Sequence, residues 1–374
     1  MSQYDQLRGD LKRKRNIFLR ILLWINILCA LVLAFSLLAT SFSPQDFWPL
    51  AFLGLAWYYL ILINTGFILL WLFLWRRMIL VSLLPILFSF GNFKHLVRFN
   101  SSAETKQEGS MKILSYNVRL FDLYNWSHNK ETRGKIFNFL KNENADIMCL
   151  QEFYDNDTHF PVLDTFLSFQ DTKNFHVEYT LDLKGQHFGI ATFSKYPIVN
   201  KGFIDFNEES NNSCIYTDIY YEKDTIRIYN LHLQSNRLNV DDLAFLENLG
   251  SENNVDEIKS SEKIFSKLKN GFIKRAGQAE LVAHHVMKCP YPKVVCGDFN
   301  DSPFSYTYSM VRQDMKDAFE ECGSGFGRTY NGKFPSFRID YILFGKEFEA
   351  QSFQTMPVGF SDHYPIMAEL KLQK

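Results

Sequence analysis

Residues 293–301 read KVVCGDFND, a strand-like apolar run that gives way at once to Asp298, Asn300 and Asp301. The same change recurs along the chain. KILSYNV (residues 112–118) has Asn117 near its end, and IMCLQE (residues 147–152) ends in Glu152. TIRIYNLHL (residues 225–233) closes with Asn230 and His232, and RIDYILF (residues 338–344) carries Asp340 near its start. Asp362 and His363 come just before PIMAELKL (residues 365–372). A single strand-end Asn or Asp is ordinarily a turn former. Turn chemistry does not explain a repeated placement of carboxylates, carboxamides and two imidazoles. Such a set assembles a site above a sheet. FGIATFSK (residues 188–195) and SCIYTDIYY (residues 213–221) are further strand candidates, and residues 130–142 and 272–288 have helical spacing. Strands alternating with helices indicate a layered α/β domain over residues 111–374, with a polar insertion near residues 235–270. Asp301 reads as a turn residue.

The chain upstream is of another kind. Its 374 residues are 47% hydrophobic and include 36 Phe, which excludes a disordered protein. The net charge of -1 hides an asymmetry: residues 1–109 carry 11 Lys/Arg against five Asp/Glu, and the rest carry 29 against 36. Residues 17–39 are apolar apart from Arg20 and a few small polar residues, and residues 47–75 contain no charge. Residues 78–93 contain none either, and snorkelling of Lys94 and Arg98 extends that run to residue 99. A crossing needs about 20 residues, so residues 1–99 are expected to form a membrane segment of three helices, at 17–39, 47–75 and 78–99. Residues 100–110 (NSSAETKQEGS) form a linker. Basic residues at 12–15, 20 and 76–77 favour the cytoplasmic side. Three crossings then put the α/β domain outside the cytoplasm, on a multi-pass inner-membrane protein whose partner is the lipid bilayer. No obligate protein partner is evident. The six cysteines show no CxxC or zinc spacing and read as small buried residues.

The strand-end set suits metal-assisted phosphoester hydrolysis. Hard oxygen donors from Asn117, Glu152 and Asp362 select Mg²⁺ or Mn²⁺ over zinc. A further carboxylate positions water, and a His held by an Asp stabilises charge on the phosphoryl group or protonates the leaving oxygen.

In order along the chain, SYNVR (115–119), LQE (150–152), GIATFSKYPI (189–198), NLHL (230–233), GDFND (297–301) with RIDYI (338–342), and SDHYP (361–365) resemble the endonuclease/exonuclease/phosphatase superfamily. That family includes deoxyribonuclease I, abasic-site endonucleases, neutral sphingomyelinases and inositol-phosphate phosphatases. The resemblance spans about residues 111–372. It implies a four-layer α/β sandwich of two packed mixed β-sheets flanked by helices, here preceded by the transmembrane segment. It also implies that Asn117, Glu152 and Asp362 gather the metal and that Asp298 orients or deprotonates water with support from Asn300. His363, paired with Asp340, and His232 would grip the scissile phosphate. Where deoxyribonuclease I has a Glu supporting the first His, this chain reads KGQHFGIA, with Gln186 and His187.

The resemblance does not fix the substrate. Nucleic acid, a phospholipid headgroup or a small phosphoester all fit, and Ile339-Asp340-Tyr341 departs from the inositol-phosphatase pattern. A catalytically inactive membrane scaffold or binding module of the same fold is the alternative from another class. The apolar runs hold only Arg20 as an internal ionisable residue, so no ion pathway is apparent.

Overall fold

The computed structural model describes residues 3–373 apart from 101–108, 158–160, 170–173, 207–210, 239–240, 243–244, 246–254 and 333–337. Most of the expected linker and part of the expected insertion therefore lie outside the described residues. The chain divides into two units, Met1–Phe93 with Phe304–Tyr306, and Lys94–Pro303 with Thr307–Lys374.

The first unit contains α1 (Gln3–Ser36), α2 (Pro44–Phe47), α3 (Pro49–Leu55), α4 (Trp57–Leu74) and α5 (Ile79–Phe88). Large apolar side chains face outward, and a polar network lies among the buried apolar residues. Phe18, Trp24, Leu28, Leu62, Phe73 and Phe88 are exposed, whereas Asn26, Asn64 and Ser82 are completely buried. These three form one network: Asn26 Nδ2 donates to Ser82 Oγ (2.6 Å) and Ser82 Oγ to Asn64 Oδ1 (2.8 Å). Trp71 Nε1 donates to Asn26 Oδ1 (2.8 Å), and Asn64 Nδ2 reaches the Cys29 carbonyl (3.2 Å). Asn26 beside Trp71, and Cys29 beside Asn64, make α1 and α4 antiparallel. Arg13–Thr40 and Trp57–Leu74 are long and apolar enough to cross a membrane.

The run expected as one helix over residues 78–99 is not one. α5 stops at Phe88 and contains Pro85; a 3₁₀ helix, Phe90–His95, follows, and then a strand, β1 (Val97–Phe99). Ten α-helical residues span only about 15 Å. Proline removes one rung of the ladder, and the tighter turns at Gly91-Asn92 end the α-helix. The run at 47–75 is likewise divided, because Pro49 starts a new helix and α3 closes at Ala56.

The second unit contains β2 (Ser110–Asn117), β3 (Ile147–Asn156), β4 (Asn174–Leu183), β5 (Gln186–Ser194), β6 (Ile198–Ile204), β7 (Ser213–Tyr221) and β8 (Asp224–His232). These are followed by β9 (Lys293–Asp298), β10 (Lys316–Asp317), β11 (Ser324–Phe326), β12 (Asp340–Phe344), β13 (Phe348–Thr355) and β14 (Ile366–Leu372). Its principal helices are α6 (Thr132–Glu143), α7 (Val162–Phe169), α8 (Val255–Met287), α9 (Tyr306–Arg312) and α10 (Ala318–Cys322). Two six-stranded mixed sheets form, in the orders β13-β14-β2-β3-β5-β4 and β10-β12-β9-β8-β7-β6; β2–β3 and β8–β9 pair in parallel.

Period two along each strand sorts the residues into layers. Ile113, Cys149, Ile228, Cys296, Ile342 and Ala368 meet between the sheets. Leu114, Met148 and Phe193 face outward onto Ile136 and Leu140 of α6 and Phe166 of α7. Tyr229, Leu231, Val295 and Leu343 face the other way, onto Ala279, Val282 and Val286 of α8 and Val311 of α9. This is the four-layer α/β sandwich. The expected insertion is shorter than its sequence suggested, because α8 already begins at Val255 and continues unbroken to Met287.

One buried polar cluster joins residues 94–95 to this unit. Glu320 accepts from Arg312 (2.7 and 2.9 Å), Tyr308 Oη (3.1 Å) and His95, with Lys94 Nζ at 3.2 Å. Burial alone would raise the Glu320 carboxyl, but His95 and Arg312 hold it far below the carboxylate range. A carboxyl depressed in the folded state contributes stability above its unfolded pKa of about 4.3 and loses it as pH falls. Glu320→Gln should therefore cost on the order of 3 kcal/mol at pH 7 and flatten the acid limb of stability. Thermal unfolding of the full chain from pH 3 to 8 reads both, and an unchanged acid limb would contradict the assignment.

Candidate active site

The inward faces of the strands are apolar at depth and polar at one end. On β2 the inward series runs Met111, Ile113, Ser115, Asn117; on β8 it runs Ile226, Ile228, Asn230, His232; on β9 it ends in Asp298. Register aligns the polar ends, because His232 is paired with Asp298 across β8–β9 and Asp298 with Asp340 across β9–β12. The facing sheet contributes Asn117 beside Gln151. Gly297 allows the close approach at this point. Its φ is +138°, and a Cβ there would lie 2.0 Å from the Leu231 carbonyl oxygen.

Asp298 is the hub. Its Oδ2 accepts from Asn117 Nδ2 (3.1 Å) and Asn300 Nδ2 (3.1 Å), and its Oδ1 from the Asn300 backbone N–H (2.8 Å). His232 Nε2 lies 3.6 Å and His363 Nε2 3.7 Å from the same Oδ2. His363 Nδ1 is bonded to Asp340 (3.0 and 3.1 Å), which fixes the ring and directs Nε2 inward. Backbone bonds from Ile339 and Asp340 to Thr329 Oγ1 hold that carboxylate's strand end.

Glu152 projects from a break in the ladder between β3 and β5, where its own φ is +49°. Left-handed backbone at a non-glycine residue costs about 1–3 kcal/mol and is held by its surroundings. Here it turns the carboxylate toward Asn117 Nδ2 (3.2 Å) and His232 Nε2 (3.9 Å). Asn300, at φ +53°, is held by Leu233 O (2.9 Å). Asp362 stands at the rim with Arg119 Nε at 3.4 Å. Arg119, Asp122, Ser127, Tyr330, Asn331 and Asp362 line a cleft of about 340 Å³.

Burial pushes the Asp298 carboxyl up to about 6, against the pull of His363 and with a further push from Asp340. Burial also raises Glu152, and Asp362 adds to the rise. His363 is lowered by burial, but Asp340 and Asp298 more than reverse that and leave it well above the usual imidazole value. His232 is depressed, chiefly by burial. The two imidazoles are thus biased in opposite directions, His363 toward the cation and His232 toward the neutral form. His232 Nε2 is buried and has no hydrogen-bond partner among the described residues.

All eight residues singled out in the sequence lie in this region. Asn117 behaves differently from an oxygen ligand: its Oδ1 accepts from Arg119 N (3.0 Å), and its amide nitrogen bridges Glu152 and Asp298. His187 pairs with Asp182 (2.5 Å) and Asp157 (2.9 Å), and no bond joins it to His232. Asp298, Asp340 and His363 offer ligand atoms within 4.8 Å of one another. Sequence reasoning passed over Arg119, Thr329 and Ser361, whose Oγ donates to the Asn117 carbonyl (2.9 Å). Arg119 and Ser361 stand inside the SYNVR and SDHYP motifs, where nothing but membership marks them.

A two-sheet sandwich with this set at the strand ends defines a phosphoester hydrolase fold. The chain belongs to the endonuclease/exonuclease/phosphatase family, whose model matches residues 114–363. Members of that superfamily hydrolyse phosphoesters. A second model, described as a domain of unknown function, matches residues 19–96. A search of curated proteins found no match.

Solved structures share the fold. An endonuclease/exonuclease/phosphatase from Beutenbergia cavernae has a TM-score of 0.51 at 14% identity, covering 71% of this chain and 72% of that one. The human Nocturnin catalytic domain, with a bound sulfate anion, gives 0.50 at 15% identity and covers 72% and 97%. A Bacteroides vulgatus family member gives 0.50 at 16% identity and covers 71% and 99%.

Proposed function

We propose that this chain is a membrane-anchored phosphoesterase that uses Mg²⁺ or Mn²⁺ to hydrolyse a phosphodiester or phosphomonoester by in-line attack of water. The observation that carries the reading is the convergence of Asp298, Asn300, His232 and the His363–Asp340 pair on one point beside a cleft. Asp298 sits where it can accept a proton from water, with Asn117 and Asn300 fixing its orientation. The His363 cation is directed at developing negative charge or the leaving oxygen. The unpartnered His232 Nε2 offers its remaining bond to a phosphoryl oxygen.

A hard divalent cation suits the oxygen donors of Glu152 and Asp362, two mutually repelling carboxylates of which Asp362 lines the cleft. Such an ion would neutralise phosphoryl oxygens. The test is hydrolysis of bis(p-nitrophenyl) phosphate and p-nitrophenyl phosphate by the full chain in detergent. Turnover should disappear in EDTA. Glu152→Gln should lose on the order of 100-fold, with partial recovery at high Mg²⁺ or Mn²⁺. Full wild-type activity in EDTA would overturn the metal-dependent reading.

Anchoring rests on the first unit's apolar exterior and buried polar network, an arrangement suited to lipid. The reading includes three crossings. Ser82 bonds Asn64, and Phe93 lies 5.4 Å from Trp57, the first residue of α4, so the third run returns along the whole of α4. Three crossings with the basic ends inside leave the catalytic unit outside the cytoplasm.

A further inference from the structure

We infer that Arg275, with Gln278 one turn later on α8, is a positioning residue for the reaction: it locks together the two turns that carry His232 and the Asp298–Asn300 pair. Arg275 is completely buried. Its Nη1 donates to the Gln234 carbonyl (2.7 Å) and to Asn236 Oδ1 (2.9 Å), two and four residues beyond His232. Its Nε donates to Asp301 Oδ2 (3.2 Å), the residue after Asn300. Gln278 Oε1 takes the other side of the same peptide segment, accepting from the Gln234 N–H (2.8 Å). One helix therefore holds Gln234 by both its backbone N–H and its C=O, and the same guanidinium holds the neighbouring catalytic turn.

The two turns are also joined directly, because Asn300 Nδ2 donates to Leu233 O (2.9 Å). That bond keeps Asn300 oriented toward Asp298 only while both turns stay in register. A planar fork with donors in fixed directions can meet these acceptors together; an ammonium cannot. Arg275 Nη2 has no partner among the described residues, an expensive arrangement to bury. The Asn236 side chain and the Arg275 guanidinium meet over Gly271, one turn before Arg275 on α8, where a Cβ would lie 2.9 Å from Asn236 Oδ1 and 3.2 Å from Arg275 Nη1. Absence of a side chain there leaves room for the clamp.

The inference rests on the proposed phosphoesterase reading for its kinetic consequence, but the clamp itself can be measured without turnover. The full chain and four variants, Arg275→Gln, Arg275→Lys, Arg275→Gln/Asp301→Asn and Gly271→Ala, would be compared by melting temperature, by hydrogen exchange and by kcat and KM on bis(p-nitrophenyl) phosphate with Mg²⁺. Arg275→Gln leaves the Asp301 carboxylate buried without its cation and is expected to melt lower. The double variant removes that charge and should recover most of the melting temperature. Its kcat should nonetheless stay 30- to 100-fold down with KM within about threefold, and Arg275→Lys should recover part of kcat. Gly271→Ala improves helix propensity, yet should lower kcat three- to tenfold by displacing Asn236.

Hydrogen exchange should rise in residues 232–237 and 298–303 of the double variant. If kcat returns with the melting temperature in the double variant, or Gly271→Ala leaves kcat unchanged, Arg275 is only structural and the inference is overturned. Should the wild type turn over no phosphoester with any metal, the phosphoesterase reading fails. Exchange in the two turns then decides the clamp alone: faster exchange supports it, and unchanged exchange overturns it.

Discussion

Asp298→Asn is expected to lower kcat by 10³-fold or more, toward the upper end of the roughly 10²–10⁴ that general-base catalysis contributes. The expected stability change has the opposite sign. A carboxyl whose folded pKa is raised by burial to about 6 costs stability above that pH, because the unfolded chain ionises it freely. Asparagine keeps the shape and removes the charge, so the melting temperature at pH 8 should hold or rise. Loss of activity with retained stability separates a chemical role from a structural one. Steady-state kinetics and thermal unfolding on the same preparation give both numbers. Activity within tenfold of wild type would remove Asp298 from the proton transfer.

Much of the architecture was legible because the central strands are buried on both faces. KILSYNV, IMCLQE, TIRIYNLHL, KVVCGDFN and RIDYILF correspond to β2, β3, β8, β9 and β12, which are interior strands. The strands that were not legible are the sheet edges. β4, β6, β10 and β13 have one unpaired side and a solvated face, so NFHVEYTLDL and IVNKGFI carry polar residues where a central strand would carry Val or Ile. The N-terminal part of α8 falls within the expected polar insertion for a related reason: residues 255–270 are rich in Lys, Glu and Ser, and their buried apolar stripe is narrow, Ile264 and Leu268 ahead of Phe272.

The candidate site was legible residue by residue but not as an arrangement. Strand ends marked Asn117, His232, Asp298 and Asp340, and the alternation that brings them together follows from the pleat. The orientation of the Asn117 amide, with its nitrogen toward two carboxylates, depends on Arg119 N, which only the turn after β2 brings near. Asp301 reads as a turn residue until Arg275, 26 residues earlier on a helix, is seen beside it. Long-range partners of this kind leave no local pattern.

An alkaline phosphatase fused after Lys374 should be active, and a green fluorescent protein at the same position dark, if the third run crosses. α5 alone is too short, at about 15 Å against a hydrocarbon core of about 30 Å. The Phe90–Phe93 part of the 3₁₀ helix that follows belongs to the same unit and adds roughly 8 Å at about 2 Å per residue, which brings the segment near the length of the 18-residue α4. Ends agree as well as lengths. The Phe93 ring lies against Trp57 at one end, and Arg76 and Arg77 form the short turn at the other. Because α1 and α4 are antiparallel, Arg13, Lys14, Arg15 and Arg20 fall at the same end as that Arg pair, the arrangement the positive-inside rule would call for if these helices cross. A bright green fluorescent protein would mean two crossings and a cytoplasmic enzyme. It would also leave Leu80, Leu84, Leu87 and Phe88, all more than half exposed in the unit, with water as their neighbour, a patch that soluble proteins avoid unless a partner covers it.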